Sequence, residues 1–181
     1  KKTFALSLFA LLIIPSLIII LFIKMDSKGS SIHLSKRIGI NNKIFLMPKF
    51  RTMKIGTKDV ASHKLHDANI HITKLGKILR KYSIDEFPQL ISIIKGDMNF
   101  IGPRPALFNQ SDLINLRTKN NIHLIKPGIT GLAQIYGRDN NTIKEKVDLD
   151  LEYMINQSLF LDMKIIIFTF FKVIFSKNIK H

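Results

Sequence analysis

Two adjacent carboxylates, Asp85 and Glu86, are the residues of this sequence best suited to chemistry. They lie in the segment 83–90, where Ser83 and Glu86 have the spacing of a capping box. If Asp85 is the N-cap instead, Pro88 becomes the third helical residue, where its missing N–H costs nothing. Either choice places this carboxylate dyad at the positive end of a helix dipole, which keeps it ionised. An ionised carboxylate can attack phosphorus or bind a divalent cation, although on spacing alone a purely capping role is commoner.

A stiff turn, Gly102-Pro103-Arg104-Pro105, follows the dyad. Its prolines fix φ on both sides of Arg104, so the arginine is pre-organised for a bidentate contact with an anion. A second rigid, glycine-punctuated loop at 127–131 would allow a ligand to approach the backbone closely. The sequence contains no Walker loop and no dinucleotide-binding fingerprint.

The chain is strongly basic, with a net charge of +15 over 181 residues. This charge predicts an anionic partner, such as nucleic acid, acidic lipid or a phosphorylated substrate. Lysine dominates the excess, so the arginines are more informative, because the planar guanidinium suits phosphate better than an ammonium does. Most of the arginines lie in the motif-like stretches, namely Arg37, Arg51, Arg80, Arg104 and Arg138. Without cysteine, no disulfide or cysteine-based metal site is possible.

Three segments together carry a resemblance to a known family. They are SIDEFPQLISIIKGDMNFIGPRP at 83–105, KPGITGLAQIYGR at 126–138, and the run of Asp150, Tyr153, Asn156, Ser158 and Asp162. In order and spacing they resemble the bacterial sugar transferases, the monotopic phosphoglycosyl transferases that act on undecaprenyl phosphate. The resemblance covers nearly the whole chain.

The resemblance implies an enzyme that moves a phosphosugar from a UDP-sugar to undecaprenyl phosphate and releases UMP, the first membrane step of a surface glycan pathway. It implies that Asp85 is the nucleophile of a covalent intermediate. Glu86 would help to bind Mg²⁺, with Asp85 as a second ligand, or would move a proton; the sequence leaves the division of roles open. The substrate- and phosphate-binding residues that it implies are Lys49, Arg51, Arg80, Arg104, Gln134 and Arg138.

The N-terminal segment Phe4–Ile23 is uncharged, apolar and about 30 Å long as a helix. Pro15 lies in its middle, so it is either a kinked transmembrane helix or a re-entrant helix whose ends return to the same side. Similar lysine charge at both ends favours the re-entrant form, and the family uses a proline-broken re-entrant helix. We therefore expect a re-entrant membrane helix at 1–25 and a catalytic domain at 26–181 on the cytoplasmic face of the bacterial inner membrane. Ala5 departs from the family, which usually has an acidic residue there.

The remaining patterns predict a mainly helical α+β fold. Alternation across 32–50 with a turn at 39–42 predicts a β-hairpin, and 55–69 reads as a loop. Helical spacing is present at 72–82, 90–95 and 141–156. The apolar stretch 159–175 predicts either a buried core helix or an amphipathic helix in the membrane interface. The spacing of His63, His66 and His71 is too loose for a metal site.

A second functional class stays open on the residues alone. The +15 charge could serve a membrane-tethered binding module that holds nucleic acid or acidic lipid without catalysis. Aromatic residues are not interleaved with the basic ones, and no nucleic-acid-binding motif is present, so we expect no nucleic acid partner. The sequence leaves the oligomeric state and the identity of the UDP-sugar undetermined.

Overall fold

The computed structural model describes residues 2–57, 68–137 and 141–175, and helices predominate in these ranges. The helices are α1 (Lys2–Asp26), α2 (Ala68–His71), α3 (Lys74–Lys81), α4 (Leu90–Lys95), α5 (Ser111–Lys119), α6 (Leu132–Tyr136), α7 (Ile143–Ile155) and α8 (Leu159–Ile174). The strands are β1 (Ile32–Ile38), β2 (Ile44–Phe50), β3 (Asn99–Ile101) and β4 (Gly128–Thr130). Short 3₁₀ helices lie at Ile40–Asn42, Ile84–Gln89 and Ile122–Leu124. The prediction of a mainly helical α+β fold with a small hairpin is confirmed.

The hairpin pairs β1 with β2 in antiparallel register, from Ile32 opposite Phe50 to Ile38 opposite Ile44. Asn41 and Asn42 form its turn with φ of 55° and 57°, a left-handed conformation that asparagine tolerates better than most residues. Met47 and Phe50 lie on opposite faces of β2, and both are buried. The register of the hairpin therefore fixes the place of Lys49 in β2, opposite His33.

A second, parallel pair of strands was not predicted. β3 and β4 pair Asn99 with Gly128 and Ile101 with Thr130, so part of the expected glycine loop at 127–131 is a strand. The glycines explain the close pairing, because a Cβ at Gly128 would lie 2.2 Å from the backbone nitrogen of Gly102. This contact places the second loop directly beside the arginine turn.

Helix α1 runs from Lys2 to Asp26 without interruption, although Pro15 lies inside it. The proline cannot donate a hydrogen bond to the carbonyl of Leu11, four residues earlier. Within the described ranges, α1 is the helix that is both long enough and apolar enough to cross a membrane, judged by length and composition alone.

Both halves of α1 pack against the same body. The first half buries Ala5 completely in a cluster with Met47 and Leu90. The second half buries Ile23 in a cluster with Phe50 and Leu79. A 25-residue helix is about 37 Å long, so α1 lies along the domain instead of projecting from it by one end.

Helix α8 exposes most of its apolar surface. Ile165 is its buried residue, whereas Phe160 is 82% exposed and Phe170 is 63% exposed. The interpretation of 159–175 as a buried core helix is therefore wrong. Polar contacts attach α8 to the body: Thr169 Oγ1 lies 2.7 Å from Thr130 Oγ1, and Lys172 donates to the carbonyl of Gln134.

Several element boundaries differ from the expectation. α3 begins at Lys74 because the Thr73 hydroxyl caps it by accepting from the N–H of Gly76. α7 begins after Thr142, which forms a capping box with Glu145. Helix α5 was not predicted, and α2 begins within the expected loop at 55–69. Both His63 and His66 lie outside the described residues.

Candidate active site

The dyad lies within a 3₁₀ helix, Ile84–Gln89, which we call the dyad helix. Ser83 precedes it in the left-handed conformation, with φ of 55°, and its side chain makes no capping bond. The capping-box prediction and the alternative with Asp85 as N-cap are both wrong, because Asp85 is inside the helix and the Glu86 side chain is used elsewhere. The backbone N–H of Glu86 instead donates to the carbonyl of Ser83 at 3.2 Å, which is 3₁₀ spacing.

Glu86 is held by two cations that reach it from different elements. Lys49 Nζ from β2 and Arg104 Nη2 from the proline-flanked turn lie 2.9 Å and 2.7 Å from the same oxygen, Oε1. Burial alone would raise the pKa of Glu86, but Arg104 and Lys49 together hold that pKa well below its usual range. Burial lowers the pKa of Lys49, and Glu86 opposes that change. Glu86 is therefore a permanently ionised anchor.

Asp85 differs from its neighbour. It is only 8% exposed, yet within the described ranges its carboxylate accepts no hydrogen bond. Burial raises the pKa of Asp85, while the positive charges of Lys49, Arg80 and Arg104 act in the opposite direction. A carboxylate that is surrounded by cations and accepts no hydrogen bond from the described residues keeps its oxygen lone pairs available and is therefore suited to act as a nucleophile.

The other predicted binding residues divide into two groups. Arg80 at the end of α3 is oriented by Thr52, whose hydroxyl accepts from Arg80 Nε at 2.9 Å, and its charge acts on Asp85. The guanidinium of Arg51 bonds instead to the segment after α1, where it donates to the carbonyls of Ser27 and Lys28 at 2.7 and 2.8 Å. The structure thus gathers Asp85, Glu86, Lys49, Arg80 and Arg104 at one place, and Arg51 links α1 to the hairpin.

In the described structure Gln134 makes no side-chain hydrogen bond with that cluster. The side-chain amide of Gln134 on α6 is buried, and neither of its polar atoms has a hydrogen-bond partner. Its oxygen lies close to Gly131, beside the β3–β4 pair. Arg138 lies outside the described residues.

A sequence model described as "Bacterial sugar transferase" matches residues 2–176. The chain belongs to the bacterial sugar transferase family. This assignment favours the enzyme hypothesis over the binding module, because the matched region includes the dyad and the cations around it.

Similar proteins with curated names differ in how much of their length the chain covers. The chain is 39% identical to the "Uncharacterized sugar transferase EpsL" of Bacillus subtilis, over 99% of this chain and 90% of that protein. It is 36% identical to the "UDP-glucose:undecaprenyl-phosphate glucose-1-phosphate transferase" of Escherichia coli, over 92% of this chain and 38% of that protein. It is 34% identical to the "UDP-N-acetylgalactosamine-undecaprenyl-phosphate N-acetylgalactosaminephosphotransferase" of Aeromonas hydrophila, over 90% of this chain and 39% of that protein. The chain therefore spans about two fifths of the length of these two relatives, whose names state their substrates.

Sequence reasoning on this family member missed some residues around the site. Arg117 is the one arginine outside the motif-like stretches, and it donates to the backbone carbonyl of Arg104 at 2.8 Å. Gln89 in the dyad helix is 1% exposed, and its Nε2 has no hydrogen-bond partner in the described part of the chain. Its position four residues after Asp85 was a signal that could have identified it.

Proposed function

We propose that this protein transfers a phosphosugar from a UDP-sugar to undecaprenyl phosphate and releases UMP, through a covalent intermediate on Asp85. The reaction would be the first membrane step of a surface glycan pathway. Family membership and the activities given in the names of the Escherichia coli and Aeromonas hydrophila relatives support this reaction class. The observation that carries the covalent step is the contrast within the dyad: Glu86 is held by two cations, whereas Asp85 accepts no hydrogen bond from the residues that the structure describes.

The chemistry requires two displacements at one phosphorus atom. An Asp85 carboxylate oxygen attacks the phosphorus that bears the sugar, the bond from that phosphorus to the UMP oxygen breaks, and UMP leaves with the electron pair. A phosphate oxygen of undecaprenyl phosphate then attacks the same phosphorus, and the bond to Asp85 breaks, which regenerates the carboxylate. Arg80 and Arg104 would stabilise the charge that develops on the phosphoryl oxygens in both steps.

Glu86 is better suited to organise these cations than to move a proton. Its pKa lies well below the usual range, so it would stay ionised throughout the cycle. It holds Arg104 at a position where the side chain remains 43% exposed. A substrate phosphate could therefore reach the exposed part of the guanidinium.

Magnesium fits this site only if protein carboxylates and substrate phosphates coordinate it together. Within the described ranges no group of three or more histidine, cysteine or acidic residues could hold a metal ion. Mg²⁺ commonly binds through one or two carboxylates plus substrate phosphates, and Asp85 and the second oxygen of Glu86 could supply such a partial set. When bound, the ion would neutralise charge on the pyrophosphate. We therefore propose Mg²⁺ as a cofactor that binds together with the UDP-sugar.

Membrane placement is the second part of the proposal. The acceptor is a polyprenyl lipid, and two helices present apolar surface for a bilayer: α1 and the exposed face of α8. Because both halves of α1 pack on the same body, we infer that both of its ends lie on the cytoplasmic face. Lys164, which is exposed on α8, would meet anionic headgroups at that face.

Cysteine labelling tests this topology cleanly, because the chain has no native cysteine. Lys2→Cys and Lys28→Cys should both react with an impermeant maleimide in inverted membrane vesicles and resist it in intact cells. Asp148→Cys, on the exposed surface of α7, is the control for the catalytic domain. Labelling of Lys2→Cys and Lys28→Cys from opposite sides would establish a transmembrane helix and refute this placement.

The decisive test of function is release of UMP from a panel of UDP-sugars, with Mg²⁺ and with or without undecaprenyl phosphate. Wild-type protein should release at most one equivalent of UMP without acceptor and should gain the mass of one phosphosugar. Asp85→Asn should do neither, and Asp148→Asn, the same charge change on α7, should behave as wild type. UMP release that needs the acceptor and leaves no adduct would refute the covalent step.

A further inference from the structure

The turn that presents Arg104 is poor in hydrogen-bond donors, because Pro103 and Pro105 have no N–H. The four carbonyl oxygens of residues 103–106 are nevertheless all engaged. Those of Pro103, Arg104, Pro105 and Ala106 accept, in order, from Gly128 N at 3.0 Å, Arg117 Nη1 at 2.8 Å, Arg37 Nη1 at 3.1 Å and Ile38 N at 3.0 Å. The proline rings fix φ, so these four bonds are what fixes the orientation of the peptide planes.

Arg117 is the donor that acts on Arg104 itself. It lies on α5, and the rest of its guanidinium is committed to Asp150 on α7, with Nε and Nη2 at 3.0 and 2.6 Å from Oδ2. Asp150 is 1% exposed and the Arg117 side chain is 11% exposed. One fork thus binds a buried carboxylate and the carbonyl of the residue that contacts the dyad.

We propose that Arg117, held by Asp150, is a positioning residue that sets the backbone of Arg104 and thereby aims its guanidinium at the dyad. This inference rests on the proposed function, in which Arg104 stabilises charge on the transferred phosphate. The chain of contacts runs from Asp150 through Arg117 to the Arg104 carbonyl, and then from Arg104 Nη2 to Glu86. Two helices that do not touch the dyad would in this way control its most exposed cation.

The variant Arg117→Lys distinguishes a role in positioning Arg104 from a role in stabilising the fold alone. Lysine can keep the ion pair with Asp150, but a single ammonium cannot reproduce the planar fork that also reaches the Arg104 carbonyl. We expect Arg117→Lys to fold and to lose about 10- to 100-fold in kcat, with a smaller change in KM, because misplacement of a catalytic group acts mainly on the transition state. Lys119→Arg, the reverse exchange at an exposed site of α5, should leave kcat unchanged.

A double-mutant cycle tests whether the effect passes through Arg104. If Arg117 acts by positioning Arg104, then the Arg104→Lys/Arg117→Lys protein should be no slower than Arg104→Lys alone. A purely structural role predicts that the two losses in kcat multiply. Multiplication, or an unchanged kcat in Arg117→Lys, would overturn the proposal.

A second measurement does not depend on turnover. The Nε–H signals of ¹⁵N-labelled arginine in detergent are few enough to assign with single Arg→Lys variants, because arginine is rare in this chain. Arg117→Lys should shift or broaden the Arg104 signal, and Lys119→Arg should not. An unmoved Arg104 signal would refute the positioning role. Absence of UMP release by wild-type protein would instead refute the proposed function and leave this readout intact.

Discussion

The molecule buries carboxylates against arginine in two places, and it treats them differently. Asp150 is enclosed, and its Oδ2 accepts two bonds from Arg117, whose third donor is used by the Arg104 carbonyl. At the dyad, Glu86 is similarly paired with Lys49 and Arg104, but Asp85 beside it accepts no hydrogen bond in the described structure. In the first arrangement all three nitrogens of the Arg117 guanidinium are engaged, whereas the second keeps one carboxylate without a donor among the described residues.

This difference distinguishes a structural ion pair from a reactive site. A buried charge normally requires compensation by hydrogen bonds, so stability alone does not explain why Asp85 has no donor among the described residues. The cations around it reduce that cost, and they would be complementary to the anionic phosphates of a UDP-sugar. The same substitution, Asp to Asn, should therefore have different consequences at positions 85 and 150.

The largest expected effect is on turnover in Asp85→Asn. Asparagine keeps the shape of the side chain but removes the nucleophile, so we expect UMP release to fall by on the order of 10⁴-fold or more. Circular dichroism should show a native helix content, because the Asp85 side chain does not cap its helix. Turnover close to wild type in the folded variant would show that Asp85 is not the nucleophile.

Arg104→Lys should have the next largest effect. The lysine keeps the charge, but it cannot both bind Glu86 and present a planar fork to phosphate, so we expect a loss of about 100-fold in kcat/KM. Steady-state UMP release with varied UDP-sugar measures this loss. Lys36→Arg, an exposed exchange in the neighbouring β1 strand, is the control. A near-normal rate would place Arg104 outside the reaction.

Asp150→Asn should act on stability first. It leaves the Arg117 guanidinium buried without its counter-ion, which costs about 3 to 5 kcal/mol when one partner of such a pair is removed. Chemical unfolding in detergent, compared with wild type and with the exposed variant Asp148→Asn, measures the cost. An unfolding free energy equal to that of wild type would mean that Arg117 finds another acceptor.

Much of the fold was accessible from the sequence because its signals are local. Alternation and the Asn41–Asn42 turn predicted the hairpin, and apolar spacing predicted α3, α4 and α7. The β3–β4 pair was missed because each strand has only three residues, and its pairing depends on a close contact between Gly102 and Gly128. The apolar stretch of α8 could not be assigned, since hydrophobicity alone does not distinguish a protein interior from a bilayer.

The site was predicted in its residues more than in its geometry. The motifs identified Asp85, Glu86 and Arg104, but the predicted capping roles were wrong, because the side chain of Glu86 binds Lys49 and Arg104 instead of capping. Residues far apart in the chain are joined here by side-chain contacts, and Arg117 had no motif to mark it. Long-range pairings of this kind have no periodic signature in a sequence.

The smallest expected effect is a pH dependence of stability, measured on metal-free protein. Burial raises the pKa of Asp85 in the folded state, so between the unfolded pKa, about 3.9, and the raised folded value the folded protein binds the extra proton. Its stability relative to Asp85→Asn, which cannot titrate there, should therefore fall as pH rises through this window and stay level above it. Chemical unfolding of the two proteins across this window, at constant ionic strength and with a chelator present, measures the difference. Because Asp85→Asn removes a buried charge that has no hydrogen-bond donor in the described part of the chain, it should unfold at equal or higher denaturant concentration than wild type at neutral pH, in contrast to Asp150→Asn. A difference of the opposite sign, in which wild type gains stability over Asp85→Asn as pH rises, would mean that Asp85 is a stabilising carboxylate like Asp150, and the contrast between the two sites would be lost.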